Sequence, residues 1–219
     1  MNREFLDLKL KHLGLLPTVG HYVGRGLHRM AGLLVYRVLL VEPQDVRPPP
    51  PSDGVVLGPV DAERVRREAL DPSSGVASSM ADQDAGVPDT CHGAFVGDVL
   101  ASHLFVASRR ARVLGDVDVT FDPAWAFSRW AFTRAAFRGR HLHALVKADA
   151  LRHHTRAGRN GLLSLVQVTN FESIRAASHV RCRTVGVVAT WTLGGRRRVW
   201  ASADCARYGL SLVVVPTRA

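Results

Sequence analysis

The hydrophobic positions of this chain recur with the period of a strand in some segments and with the period of a helix in others. Strands are predicted at Leu34–Glu42, Val55–Leu57, Ala94–Val96, Leu100–Val106, Trp125–Thr133, Leu162–Val168, Val185–Leu193 and Arg198–Ser202, with Val113–Phe121 as strand or loop. Helices are predicted at Asp61–Leu70, from Gly139 to about Thr155, and at Phe171–Val180. The order of these elements predicts an α/β protein, of the α+β kind, whose mixed and mainly antiparallel sheet is flanked by helices.

Turn and capping residues mark the ends of several of these elements. Gly97-Asp98 and Gly194-Gly195 have the composition of tight turns between two strands of a hairpin. Leu162–Val168 is nearly all apolar, which is typical of a strand that is buried on both faces. Asp61 is suited to cap the helix that follows it, and Gly158 is suited to end the helix that precedes it.

A proline-rich connector divides the chain. Residues 43–54 contain four consecutive prolines, and a run of this kind forms an extended, semi-rigid linker. We therefore predict an N-terminal helical and strand extension over residues 1–53 and a main domain over residues 54–219. The segment 3–16 is leucine-rich and flanked by basic residues, which favours a helix that docks on the protein or contacts a membrane surface.

Composition and charge narrow the classes of partner. The chain has 219 residues, 47% of them hydrophobic, which is the composition of a globular protein. Lysines and arginines number 29 against 19 acidic residues, for a net charge of +10. Such a charge favours anionic partners, namely nucleic acid, anionic lipid, a phosphorylated cofactor or an acidic carrier protein.

Cysteine and histidine spacings point away from disulfides and metals. The three cysteines are far apart and form no CxxC pair, so neither a disulfide scaffold nor a zinc ribbon is indicated. The close histidine pairs, at 141/143 and 153/154, would point in different directions on a helix, so no metal is expected. We expect a cytoplasmic protein, with contact to the inner membrane face through residues 3–16 as an alternative.

The segment from Phe132 to His143 has the features of an anion-binding site. A predicted strand ends here, a basic turn around Gly139 follows, and a helix begins without a Ser, Thr or Asp to cap it. The first backbone N–H groups of an uncapped helix are free to bind an anion. Arginine side chains on both sides of Gly139 would add positive charge around a phosphate.

This segment resembles the acyl-CoA signature of the GCN5-related N-acetyltransferases (GNAT), although it diverges there. In that family a basic, glycine-rich loop binds the pyrophosphate of the cofactor. Val168–Ser173 is similar to the family's strand end followed by a helix, and the resemblance extends from Val55 to Ser202. It implies the fold of that family, acetyl-CoA or another acyl-CoA as donor, and an amine of a small molecule or metabolite as acceptor. The donor-binding residues that it implies are Phe132, Thr133, Arg134, Arg138, Gly139, Arg140, His141, Leu142, His143, Asn170 and Ser173.

The divergence concerns three places. His141 and His143 stand where the family has small residues, and histidine side chains obstruct the close approach of phosphate to the backbone. Ala177 stands where a tyrosine often serves as general acid, and Arg181-Cys182 replaces the usual Gly-Phe. If the imidazoles point outward, coenzyme A still fits; if they fill the loop, the acyl donor must be carried by another molecule.

The resemblance also implies roles in catalysis. The amine attacks the thioester directly, and a backbone N–H near Thr133 polarises the carbonyl. Asp116, Asp118 and Glu172 are candidates for the base. Ser178 and His179 are candidates for protonating the leaving thiolate, and histidine has the more suitable pKa.

Other functions remain open at this stage. A long-chain acyltransferase that takes its acyl group from acidic acyl carrier protein would suit the positive surface. A non-catalytic relative that binds a ligand or nucleic acid is the third alternative. Arg196–Arg198 favours nucleic acid, but no zinc-finger, RNP or helix-turn-helix signature is present, so we consider nucleic acid an unlikely partner. The chain would be a monomer or a homodimer.

Overall fold

Two sheets organise the chain in a computed structural model, which describes residues 32–46, 50, 54–81 and 89–216. The predicted helix at 3–16 and parts of the connector and of the loop before residue 89 lie outside these residues. The strands are β1 (Leu34–Val41), β2 (Val55–Val60), β3 (Thr90–Val96), β4 (Val99–Ala107), β5 (Arg110–Leu114), β6 (Val117–Thr120), β7 (Ala126–Thr133), β8 (Leu162–Gln167), β9 (Arg183–Leu193), β10 (Arg196–Ala201) and β11 (Ser211–Val214). The helices are α1 (Ala62–Glu68), α2 (Ser78–Ala81), α3 (Leu142–Arg156) and α4 (Phe171–His179), with 3₁₀ turns at Pro72–Ser74, Ala135–Phe137 and Ala203–Tyr208.

The main sheet has eight strands in the order β10-β9-β1-β8-β7-β4-β3-β2. Its neighbouring strands are antiparallel except for β7 and β8, which are parallel and joined through α3. A parallel pair needs such a crossover connection. The predicted mixed, mainly antiparallel sheet with flanking helices is therefore confirmed.

Strand β1 is an interior strand of this sheet. It pairs with β8 on one side and with β9 on the other, and Val38, Leu40 and Val41 are fully buried. The sequence-based boundary at residue 53 assigns this strand to the N-terminal extension. In the structure, its apolar side chains complete the core between the two sheets and beneath α3.

Local sequence signals agree with the observed turns and caps. Gly97 and Gly194 have positive φ in the β3–β4 and β9–β10 turns. The carboxylate of Asp61 accepts a hydrogen bond from the Arg64 backbone N–H at 2.7 Å and caps α1. Gly158 follows the end of α3 with φ +86°.

The second sheet was only partly predicted. It has the order β11-β6-β5 and packs its apolar residues against one face of the main sheet. Val113–Phe121, predicted as strand or loop, contains the end of β5 and all of β6. Strand β11 was not predicted, because four residues are too few for a period to be distinguished.

The other face of the main sheet is covered by α3. Leu142, Leu145 and Leu151 pack there against β4 and β8. Within the described residues, no helix is long and apolar enough to cross a membrane.

The pKa values of four histidines, His92, His103, His143 and His154, are lowered in the folded state, which makes that state sensitive to acid. His103 is 1% exposed and lies against the rings of Phe105 and Phe132. Burial, with a smaller effect of the Arg134 charge, lowers the pKa of His103 to about 4. Burial, with neighbouring positive charges, likewise lowers the pKa of His154 to about 4.

We therefore predict that stability falls as the pH drops from about 6.5 to about 4. In this window the unfolded chain binds protons that the folded chain does not, at about 1.4 kcal/mol per pH unit for each histidine. His103→Leu should make the slope of stability against pH shallower, because it removes one titrating group. The Nε2 atom of His103 is buried without a hydrogen-bond partner among the described residues, so the substitution breaks no hydrogen bond of that atom. Urea unfolding at a series of pH values measures the slope, and equal slopes in both proteins would contradict the prediction.

Candidate active site

A cleft opens where β7 and β8 separate. The two strands pair only at Ala126 with Leu162 and at Phe127 with Leu163. Beyond these pairs β7 continues to Thr133 along β4, while β8 continues along β1. The facing edges of β7 and β8 therefore diverge, and their backbone N–H and C=O groups line a V-shaped opening.

A bulge distorts β7 beside this opening. Along β4, His103 pairs with Phe132 and Phe105 pairs with Arg129, so Leu104 stands opposite both Trp130 and Ala131. Trp130 has φ +49°, an unusual conformation for a bulky residue. A bulge leaves one peptide out of the strand ladder and directs it away.

The cleft has a volume of about 500 Å³ and contacts β7, β8, α3 and α4. The sequence-predicted residues that line it are Phe132, Thr133, Arg138, His143, Glu172 and Ser173. The structure thus brings together residues from the strand end, the basic turn and both helices. Phe132 also packs on the backbone of Gly75, where an added Cβ would lie 2.5 Å from the ring.

The basic turn leads into an uncapped helix beside the cleft. Helix α3 begins at Leu142 rather than at Gly139, and its N-cap residue His141 makes no side-chain capping bond. The first turn contains no acidic residue. Gly139 has φ +80° with open space around it, and Arg138 is exposed at the cleft. These features suit an anion at the start of α3.

The two histidines of the turn point to different places. His141 is exposed, and its ring lies 5.5 Å from that of His179 at the end of α4. His143 lines the cleft one turn before Lys147. Burial, and then the Lys147 ammonium, lower the pKa of His143 to about 4, so its imidazole is neutral at physiological pH.

Helix α4 forms the opposite wall of the cleft. The Asn170 side chain accepts a hydrogen bond from the Ser173 backbone N–H at 3.0 Å and caps the helix. Glu172 and Ala177 line the cleft. Ser178 is exposed, and its hydroxyl donates to the Arg175 carbonyl. Among the predicted catalytic residues of α4, Glu172 thus faces the cleft, whereas Ser178 and His179 are not part of its lining.

Arg134, predicted to bind the donor, is held elsewhere. Its guanidinium forms ion pairs with Glu68 at 2.6 Å and Asp71 at 2.7 Å, and it donates to the Leu100 carbonyl at 2.9 Å. The hydrogen bond from Arg134 lowers the pKa of Asp71 to about 2. These contacts use the side chain to attach the end of β7 to α1 and the turn after it.

Asp118, predicted as a base, is distant from the cleft in the fold. It lies on β6 in the second sheet, is 3% exposed, and pairs with Arg110 and Arg112. Asp116 pairs with Arg197. Asp118 is buried together with both of its strand neighbours, Val117 and Val119, and two arginines compensate its charge.

Sequence reasoning missed polar residues at the floor of the cleft. Ser128 donates to the Leu163 carbonyl at 3.3 Å where the strands separate, and Lys147 lies near Ser164. A signal for Lys147 exists in the sequence, because it is a lone lysine in a helix that is otherwise largely apolar at this point. The bulge at Trp130 has no comparable signal.

Several solved structures are similar to this chain. A GCN5-related N-acetyltransferase from Kribbella flavida has a TM-score of 0.51 at 14% identity, over 74% of this chain and 61% of that one. A Novosphingobium aromaticivorans protein described as a GNAT-family acetyltransferase has a TM-score of 0.47 at 18% identity, over 73% and 63%. A Drosophila protein has a TM-score of 0.48 at 13% identity, over 84% and 59%.

The likeness to the Kribbella flavida structure shows the fold of the GCN5-related N-acetyltransferases, as the sequence resemblance predicted. The chain spans about three fifths of the length of each of the three solved structures. No protein-family model matches the chain, and no curated protein matches its sequence.

We predict that Arg134→Gln destabilises the protein by about 2–3 kcal/mol, because it removes one partner of Glu68, a carboxylate that is 6% exposed. The double variant Glu68→Gln/Arg134→Gln should recover part of the loss, since no charge then remains buried at this place. Urea unfolding of both variants measures the difference. An Arg134→Gln protein as stable as the parent would mean that the ion pairs do not hold β7.

Proposed function

We propose that this chain is an N-acyltransferase, which moves an acyl group, acetyl in the simplest case, from acyl-CoA to the amine of a small molecule. The observation that carries the proposal is the separation of two parallel strands next to an uncapped, basic helix start. The fold shared with the Kribbella flavida acetyltransferase supports it.

The two halves of the site suit the two halves of coenzyme A. The start of α3, with Arg138 and Arg140 in the turn before it, would hold the pyrophosphate through backbone N–H groups and positive charge. The pantetheine arm contains two amides, which would hydrogen-bond to the free strand edges of β7 and β8 as an added strand does. This mode of binding requires diverging strands, and an intact sheet would not provide it.

The bulge in β7 provides the means to polarise the thioester. A backbone N–H freed at Trp130–Ala131 would donate to the carbonyl oxygen as negative charge develops there. Thr133, to which the resemblance assigned this contact, stays in register with Ser102, so we assign it to the bulge instead.

The reaction forms a C–N bond and breaks the C–S bond. The attacking amine loses a proton to Glu172, the cleft carboxylate, and coenzyme A leaves as the thiolate. His179 lies beside the turn proposed to hold the pyrophosphate, and neither it nor Ser178 lines the cleft, so the thiolate at the bulge would take its proton from water in the open cleft.

Acyl carrier protein is a second candidate for the donor. His143 occupies part of the cleft wall where the family has a small residue, which favours a donor without the nucleotide part of coenzyme A. The net charge of +10 suits an acidic carrier. We rank coenzyme A first, because His141 points away from the cleft and the anion-binding features of the turn remain.

Arg138→Ala should weaken the binding of coenzyme A by about 1.5–3 kcal/mol, the range for a hydrogen bond to a charged group. This corresponds to a dissociation constant roughly 10- to 150-fold higher, measurable by calorimetric titration. Arg156→Ala, at the far and exposed end of α3, is the matched control and should leave the affinity unchanged. Equal affinity in the Arg138→Ala variant and the parent would remove Arg138 from the site.

Replacing His141 and His143 with glycine tests whether coenzyme A or acyl carrier protein is the donor. If coenzyme A is the donor, the parent protein should bind it at micromolar concentration, and His141→Gly/His143→Gly should bind it with similar or modestly changed affinity. Calorimetric titration of both proteins measures this. Binding seen only in the double variant would favour acyl carrier protein.

A further inference from the structure

Lys147 is a buried cation without a carboxylate partner among the described residues. It lies in the second turn of α3, is 4% exposed, and lines the floor of the cleft. Its Nζ atom is 3.5 Å from the Ser164 hydroxyl, the only hydrogen bond that the described residues provide to it. No ion pair of Lys147 is formed within the described part of the chain.

Two other enclosed cations among the described residues have carboxylate partners. Arg129 pairs with Asp89 at 2.6 Å, and Arg134 pairs with Glu68 at 2.6 Å. Removing an ammonium from water without a counter-charge costs substantial free energy, and a hydroxyl compensates little of it. Lys147 therefore differs from these arginines in lacking an anion, and its position at a cleft allows a ligand to supply one.

The groups around Lys147 suit an anion with oxygen ligands. His143 lies one helical turn before Lys147 on the same face of α3 and also lines the cleft. Its imidazole is neutral, so it can donate one N–H to a ligand and does not repel the Lys147 ammonium. The Ser164 hydroxyl provides a further donor. An ammonium, an imidazole N–H and a hydroxyl in one recess are donors of the kind that bind a carboxylate.

The order of groups along β7 gives the direction of the substrate. From its C-terminal end, β7 presents Thr133, then the bulge at Trp130, then Ser128 at the vertex. Lys147 contacts Ser164, near the vertex and beyond the bulge. A group attached to a thioester carbonyl at the bulge, or an amine that approaches it, would extend toward Lys147.

We propose that the floor of the cleft binds a carboxylate carried by a substrate of the acyl transfer, with Lys147 as its ion-pair partner. This inference rests on the proposed function. The carboxylate has two sources: the far end of a dicarboxylic acyl group, as in succinyl-CoA, or the carboxylate of an amino acid acceptor.

The donor source is tested by calorimetric titration of the full chain with acetyl-CoA and succinyl-CoA. If the acyl group carries the carboxylate, succinyl-CoA should bind at least tenfold more tightly, and Lys147→Met should abolish the difference between the two thioesters. Arg156→Met, on the exposed end of the same helix, should preserve it.

The acceptor source is tested with a panel of α-amino acids and their amides, in the presence of coenzyme A. If the acceptor carries the carboxylate, amino acids should bind at least tenfold more tightly than their amides, again only while Lys147 is present. Comparison of acids with amides in the parent protein does not depend on the folding of any variant, and Lys147→Gln is a second variant.

The outcomes separate the two proposals. If the parent binds coenzyme A thioesters but discriminates neither succinyl from acetyl nor acids from amides, the carboxylate site is refuted and the acyltransferase proposal stands. If the parent binds no coenzyme A thioester at all, the proposed function fails and this inference fails with it. A loss of all ligands alike in Lys147→Met would assign Lys147 a structural role.

Discussion

The separation of β7 from β8 determines the geometry of the rest of the site. Only two residue pairs join these parallel strands, because each strand then stays with its other neighbour, β4 or β1. A parallel pair also requires a crossover, and here the crossover is α3, which follows β7 after the 3₁₀ turn at Ala135–Phe137 and the basic turn. The open strand edges and the free helix start therefore lie at the same end of the sheet as a consequence of topology.

The end of β7 must be held firmly for such a cleft to persist. A bulge with Trp130 at positive φ stores strain that surrounding contacts have to compensate. Arg129 lies 3.5 Å from the Trp130 ring centroid and pairs with Asp89, while the Arg134 ion pairs fix the strand end. Arg134, which the resemblance assigned to donor binding, thus supports the strand that forms the cleft.

The sequence predicted the elements more completely than the site. Strand β1, the two glycine hairpins and the long helix followed from periodicity and turn chemistry, which act locally. The sequence alone could not show that Glu172 lines the cleft while Asp118, the other candidate base, is buried elsewhere. Asp118 is buried beside Arg110 and Arg112 in a second sheet, and the last strand of that sheet has only four residues. The bulge at Trp130 depends on pairing with Leu104, a contact between distant segments. The roles of the residues in donor binding and catalysis stay predictions.

In the proposed function, the backbone groups of the cleft and its side chains would recognise different parts of the substrates. In that function, free strand edges and a helix start would recognise the peptide-like arm and the phosphates, which all coenzyme A thioesters share. Such contacts give affinity but no choice among acyl groups or acceptors. That choice has to come from side chains at the floor, where His143 and Lys147 project from α3 and Ser164 from β8. If the proposed function holds, a cation kept there despite its desolvation cost is the feature of this chain that would most directly concern substrate selection.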